Sequence, residues 1–352
     1  MPQYSIQTAK EALDDVIQKS RIHLYKPIQI AEILYRDRVA KDINLADKDT
    51  YRTRSRKWRD LITIELIGAK CSSSAKFQDD IFNAIPPECL VVLGRENRRM
   101  KGGVEKYIYD KFTNKHDQLE NALDYCLSAT PETFDVQRFI NSFWHEAGLK
   151  RSLDKIYEII VYSLFSALIE AMELSVSISV PEEKIDILKE FADFSKSVMC
   201  IDTENLVYTQ SAHVYRVGVT NAADRGLDMY SNWGPAIQIK HLTLDPTLAE
   251  SIVTSIASDR IVIVCKEAES SVIVSLLNQI GWKSKIQGIV TEKDLCDWYE
   301  KALRGKYADV LGANLLGILC EQIALEFPST VGTPQAIRDR KYGSITLDGI
   351  WA

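Results

Sequence analysis

"RGLDMYSNWGPAIQIKH", residues 225–241, decides how the chain is read. "LDMY" begins a strand region, "NWG" turns, and "PAIQIKHLTL" (235–244) is a second, mostly apolar strand. Side chains alternate along a strand, so Gln238 and Lys240 share one face and Ile239 points to the other. Polar groups inside such a strand are costly unless they have partners or a task. Asp228, at the start of the preceding strand, is the acidic group nearest to them in the chain.

Working outward, "HVYRVGV" (213–219) reads as a strand before this pair. After it, "DPTLAESIVTSIAS" is a helix with Asp245 as N-cap and Pro246 at its first position. "DRIVIVC" (259–265) is a strand, "EAESSVIVSLLNQIG" a helix and "SKIQGIVT" a strand. Two helices follow, "EKDLCDWYEKAL" and "YADVLGANLLGILCEQIALEF". Gly312 and Gly317 on the second allow close packing. Upstream, "PEEKIDILKEFADFSKSV" (181–198) has the spacing of an amphipathic helix, and "SVSISV" (175–180) alternates like a strand. Residues 153–173 are apolar on nearly every side, interrupted by Glu158, Ser163 and Ser166, and read as a buried helix. The order from 182 to 265 is thus helix, strand, strand, strand, helix, strand.

The first third reads as helical. "TAKE" (8–11) has the form of a capping box with Thr8 as N-cap, and Pro27 suits a helix's first position. "CLVVLG" (89–94) reads as a short strand, with "GRENRRMKGG" as a glycine-marked loop behind it. Residues 104–128 read as another helix.

Composition narrows the class. The 352 residues suffice for about two domains, and 46% hydrophobic residues supply an ordinary globular core. The apolar segment 156–169 is too short and too interrupted for a membrane span, and "MPQYSIQTAKEALDD" lacks the pattern of a signal peptide, so the expectation is a cytoplasmic protein. Seven cysteines without CxxC spacing read as reduced, mostly buried thiols, and five histidines without an HxxxH pair argue against zinc. A net charge of −6 argues against an indiscriminate nucleic-acid binder, yet permits a local basic cleft.

A Mg²⁺-dependent phosphodiester hydrolase needs hard oxygen ligands, an acidified water and a positive charge near the phosphate. Two adjacent strands can supply these, with the Ile239 carbonyl as a further ligand. The order α-β-β-β-α-β with Asp228…Gln238-Ile239-Lys240 resembles the PD-(D/E)xK nuclease superfamily. More narrowly, "DRGLDMYSNWGPAIQIKHLTL" followed by "ASDRIVIVCK" resembles the type II restriction endonucleases of the HaeII family. The resemblance implies a mixed α/β (α+β) fold and cleavage of double-stranded DNA at a short GC-rich palindrome, leaving 5′-phosphate and 3′-hydroxyl ends. It implies Asp228 as principal Mg²⁺ ligand, Gln238 as secondary ligand and Lys240 as the residue acting on water and phosphate. It further implies a homodimer and a cognate DNA methyltransferase encoded nearby. The pattern departs at Gln238, where the family carries Glu or Asp, though some superfamily members have Gln there. An acid from the preceding helix often joins such sites; Glu183, Asp186 and Glu190 are the candidates. Asp224 is a rival to Asp228.

The expected organisation is a mostly helical region over 1–150 that embraces DNA and a nuclease domain over 151–352, its core at about 182–290. Arg52, Arg54, Arg56 and Lys57 form one basic run and Arg98, Arg99 and Lys101 another, both suited to phosphates; Arg225 sits beside the presumed site. Solvated surfaces explain these runs equally well. A repair or junction nuclease on the same core, and an inert DNA-binding protein, are the alternatives. Gln238 is the feature that keeps the latter open.

Overall fold

The structure, a computed structural model, describes residues 4–20, 23–68, 70, 85–145, 149–217, 227–277, 285–327 and 335–352. The chain divides into two compact units. The first comprises residues 1–128, 137–153 and 323–352; the second comprises 129–136 and 154–322.

The first unit is built on helices α1 (Ile6–Lys19), α2 (Tyr25–Val39), α3 (Arg54–Ile67), α4 (Pro87–Arg99), α5 (Gly103–Ser128) and most of α6 (Val136–His145). Helix α1 begins a turn earlier than the sequence suggests: Ser5 is its N-cap and accepts from the Thr8 N–H. Helix α2 likewise starts at Tyr25, ahead of Pro27. The stretch 89–94 is helix, not strand. Pro87 opens α4, and Cys89, Leu90, Leu93, Gly94 and Asn97 are buried at helical spacing. A short apolar run does not distinguish the two states, and the flanking prolines decide it.

Residues 323–352 were expected with the nuclease domain but pack in this first unit. Arg340 donates two bonds to Glu32, at 2.6 and 2.9 Å, and the Tyr342 hydroxyl donates to Glu105. Glu105 also takes both bonds of Arg38, at 2.8 and 2.9 Å. Both carboxylates are buried, so these bonds offset the cost of burying their charge. Trp351 stands edge-on to Tyr107.

The second unit carries the sheet. Helix α7 (Leu153–Ala171) leads into β1 (Ser175–Ser179), which among the described residues pairs with β2 (Val207–Ser211) alone, in a separate two-stranded sheet. Between them the expected amphipathic helix is broken into a 3₁₀ turn (Glu182–Lys184), α8 (Ile185–Glu190) and a π turn (Ser195–Met199). Within these three pieces only Leu188 and Ser195 are buried, so no core holds the segment as one helix. The main sheet has the order β3 (Val214–Arg216), β4 (Met229–Ser231), β5 (Ala236–Leu244), β6 (Ile261–Ala268), β7 (Ile286–Thr291). The first two pairings are antiparallel and the last two parallel. Each parallel step crosses through a helix, α9 (Pro246–Ser255) and α10 (Ser270–Leu277). From α7 onward the order is helix, the excursion with β1 and β2, three strands (β3–β5), helix α9 and strand β6, so the order read from 182 to 265 is interrupted by β2.

Local signals explain the joints. Asp245 caps α9 by accepting from the Leu248 N–H, with Pro246 at the first position. Thr291 and Asp294 form a capping box on α11 (Glu292–Arg304). Gly234, at φ +120, turns β4 into β5. Ala249, Ile252 and Val253 of α9 pack on Ile261 and Ile263 of β6, forming an apolar layer under the strand that bears Gln238. The Tyr157 hydroxyl of α7 donates to the Cys265 carbonyl at 3.2 Å, and Tyr299 of α11 donates to the Ile160 carbonyl at 2.8 Å. These two bonds fix α7 against the sheet and against α11. Helix α12 (Ala308–Glu326) is long and apolar enough to cross a membrane by length and composition; its Leu315, Leu316, Leu319 and Ile323 are buried in the fold. Gly312 lies where an added Cβ would sit 3.0 Å from Pro131, so it does permit a close approach.

Candidate active site

The β4–β5 register pairs Met229 with Ile237. Continued by one residue, it sets Asp228 opposite Gln238, ahead of β4. Asp228 Oδ2 accepts from the Ile239 N–H at 2.8 Å and from the Gln238 side-chain amide. The N–H and C=O of one strand residue point to the same side, so the Ile239 carbonyl faces the Asp228 side too. Gln238 is 2% exposed, and its Oε1 has no hydrogen-bond partner among the described residues. A buried amide oxygen without a partner is costly. Placed next to a carboxylate and a carbonyl, it fits a hard cation. Lys240 lies on the Gln238 face, half-buried, with no ion pair among the described residues.

Helix α7 brings a further acid, Glu158, within electrostatic reach of Asp228. Glu158 is buried, and Asp228 is one of the groups that raise its pKa. Burial is the main cause of that rise, Lys155 opposes it through bonds of 2.9 and 2.7 Å, Asp228 adds to it, and Arg216 of β3 opposes it. The carboxyl of Asp228 is also raised, chiefly by burial. The Ile239 N–H, Lys240 and Lys155 oppose that shift, and Asp154 adds to it. Glu158 and Asp228 thus form a cluster of two buried acids that interacts with Lys155 and Lys240.

Glu183, Asp186 and Glu190 are all exposed on the broken segment between β1 and β2, and Asp186 pairs with Lys189. They belong to the excursion, not to the core helix. The signal that pointed to Glu158 was in the sequence: it is the one acid inside the apolar run 156–169. Asp224 and Arg225 lie outside the described residues.

Among the described residues no three His, Cys, Asp or Glu side chains form a metal cage. The donors present are the Asp228 carboxylate, the Gln238 amide oxygen and the Ile239 carbonyl, with Glu158 nearby. That set suits Mg²⁺, which keeps several waters and takes only one or two carboxylates.

The basic runs lie on the first unit. Arg54 pairs with Asp42 at 2.6 Å and stands over the Trp58 ring; Asp42, held by Arg36 and Arg54, has its pKa lowered to about 2. Arg98 pairs with Asp37, and Arg99 with Glu96 at 2.7 Å. Arg98 and Arg99 close α4 rather than sitting in a loop. Arg52 and Arg56 are partly exposed. Lys57 and Lys101 are exposed and form no ion pair among the described residues.

The family model described as HaeII restriction endonuclease matches residues 9–342. The chain belongs to the HaeII restriction endonuclease family. It is 58% identical over 327 residues to the type II restriction enzyme HaeII of Haemophilus aegyptius, covering 92% of this chain and 93% of that protein. It is 55% identical over 325 residues to the type II restriction enzyme NgoBI of Neisseria gonorrhoeae, covering 92% of each. No solved structure matches. The chain is thus a type II restriction endonuclease, a nuclease and a hydrolase. Membership in this family decides against the repair-nuclease and inert-binder alternatives.

Proposed function

We propose that the HaeII-family chain cuts double-stranded DNA in the cytoplasm with a PD-(D/E)xK-type site made of Asp228, Gln238, Ile239, Lys240 and Glu158. The observation that carries this is the buried, partnerless Gln238 oxygen beside Asp228, with Lys240 two residues on. Asp228, Gln238 Oε1 and the Ile239 carbonyl would hold Mg²⁺, with Glu158 reaching it directly or through water. A cation held by these groups would acidify a water and offset negative charge on the phosphate. Lys240 orients the attacking water and neutralises a phosphate oxygen. The water oxygen bonds to phosphorus and gives up a proton to solvent, the P–O3′ bond breaks, and the 3′ oxygen takes up a proton from solvent, leaving a 5′-phosphate and a 3′-hydroxyl. Arg52, Arg54, Arg56, Lys57, Arg98, Arg99, Lys101 and Arg225 are the proposed phosphate contacts, which position DNA without reading it. A homodimer would cut both strands of a short GC-rich palindrome, one per subunit, with a cognate methyltransferase protecting the host. The test is to sequence the ends of fragments from unmethylated DNA digested in Mg²⁺. Identical ends at one short palindrome, bearing 5′-phosphates, are expected; scattered ends would refute the reading.

Three further results follow from the same geometry. Gln238→Glu sets a second carboxylate against buried Asp228. The metal-free variant should melt lower than wild type, and Mg²⁺ should raise its melting temperature more than it raises that of wild type. Equal Mg²⁺ shifts would place the cation elsewhere. Glu158→Gln should lower cleavage on the order of 10- to 100-fold and demand more Mg²⁺ for half-maximal rate; an unchanged Mg²⁺ requirement would remove Glu158 from the site. Finally, Asp228 and Glu158 must be ionised to hold a cation, and both have raised pKa values. Cleavage should therefore fall on acidification at a pH above the ordinary carboxylate range of about 4. A pH–rate profile whose acid limb lies near 4 would contradict this.

A further inference from the structure

The excursion 172–211 carries more exposed apolar surface than a protomer has use for. Ile187, Phe191, Phe194 and Val198 recur at helical spacing, yet each is 55% exposed or more. Three of the four, Ile187, Phe191 and Phe194, line a groove of about 460 Å³ together with Val180 and Met199. With Met172, Leu174, Ile178 and Val207 they leave roughly 800 Å² of apolar side chain in solvent, taking about 150–200 Å² for each fully exposed side chain. Typical monomers expose apolar patches of about 300–600 Å², and a specific interface takes about 800 Å² from each partner.

The edge of β1 identifies the occupant. The Val180 N–H bonds to the Leu206 carbonyl, and the Ala212 N–H to the Leu174 carbonyl. Antiparallel bonding alternates, so the even-numbered residues of β1 bond to β2, and the N–H and C=O groups of Ser175, Ser177 and Ser179 point outward. Among the described residues no third strand takes them. The outer edge of β2 is covered at one end, where the Asn232 side chain donates to the Ser211 carbonyl at 2.8 Å. Strand β1 reads Ser-Val-Ser-Ile-Ser, without the charges or proline that normally guard an edge. A twofold axis through Ser177 sets β1 antiparallel to its own copy, Ser177 opposite Ser177 and Ser175 opposite Ser179. All outward groups then meet in about six main-chain bonds. DNA is a poor occupant, because residues 172–211 hold eight acids against three lysines.

We propose that β1 and the apolar stripe of residues 187–198 form the twofold interface of the homodimer, joining the two-stranded sheets of two copies into one of four strands. This rests on the dimeric reading given under the proposed function. Sedimentation of the full chain tests it, using wild type, Ser177→Pro and Phe191→Ser, beside oxidative cross-linking of Ser177→Cys in a Cys200→Ser background. Proline at 177 removes an outward N–H and the exposed Ser177 hydroxyl's 2.8 Å bond with Thr209, and leaves the main-chain β1–β2 ladder intact. Phe191 is exposed in the protomer, so its loss does not unfold it.

Wild type should sediment at about twice 39.9 kDa. Both interface variants should fall to one chain's mass, and the residue-177 thiols should cross-link, since bonded pairs lie about 5.5 Å apart. Dimeric variants and no cross-link, with wild type dimeric, would overturn this interface and leave the homodimer standing. A wild type that is monomeric with and without DNA would overturn both.

Discussion

Asp228→Asn should lower Mg²⁺-dependent cleavage by on the order of 10³-fold or more while making the metal-free protein more stable. Asparagine keeps the shape and can still accept the Ile239 N–H, so the β4–β5 junction stays in place. What is lost is the charge that holds the cation. That charge opposes folding. The Asp228 pKa is raised, chiefly by burial, so its contribution to stability is present below the ordinary carboxylate pKa and is lost as pH rises through the raised value. At neutral pH the wild type carries this loss and the variant does not. The melting temperature of metal-free Asp228→Asn should rise by about 2–4 °C, the shift that ~1 kcal/mol gives in a unit of this size. Mg²⁺ should stabilise wild type and leave the variant unmoved. A variant that melts lower than wild type would mean that Asp228 is a structural turn residue.

Lys240→Ala should lower cleavage by on the order of 10²- to 10³-fold and leave Mg²⁺-dependent stabilisation intact. Lys240 is half-buried, and among the described residues no ion pair holds it. Its removal therefore breaks no bridge. The folded state should therefore lose little. Arginine should not restore the rate, because its planar, forked head does not replace a compact ammonium. Separate measurements of rate and of the Mg²⁺-induced melting shift distinguish this variant from Asp228→Asn. Loss of both in Lys240→Ala would make Lys240 a structural partner of the acids rather than a group acting at the phosphate.

The three residues proposed for the site were legible because they are local. Asp228 directly precedes β4, Gln238 and Lys240 lie on β5 after a tight turn, and the alternation of strand side chains gives Gln238 and Lys240 a common face. The cap at Asp245 and the crossover helices of the parallel strands were legible for the same reason. Glu158, the further acid proposed for the site, was not legible because the excursion 172–211 separates its helix from the sheet in sequence. That excursion carries a helical apolar pattern of its own, which imitates the missing core helix. Its apolar stripe faces outward instead. The place of residues 323–352 was not legible either: Arg340 meets Glu32 across 308 positions, and no periodicity encodes such a contact. At 89–94 the prolines outweighed a β-like apolar run.

The most direct test is a digest of unmethylated DNA by wild type, Asp228→Asn and Lys240→Ala, each verified as folded, in Mg²⁺ and in EDTA. Discrete fragments from wild type in Mg²⁺ alone, with neither variant cutting, are the expected result. Cleavage that survives both substitutions would contradict the account and move the active site away from β4 and β5.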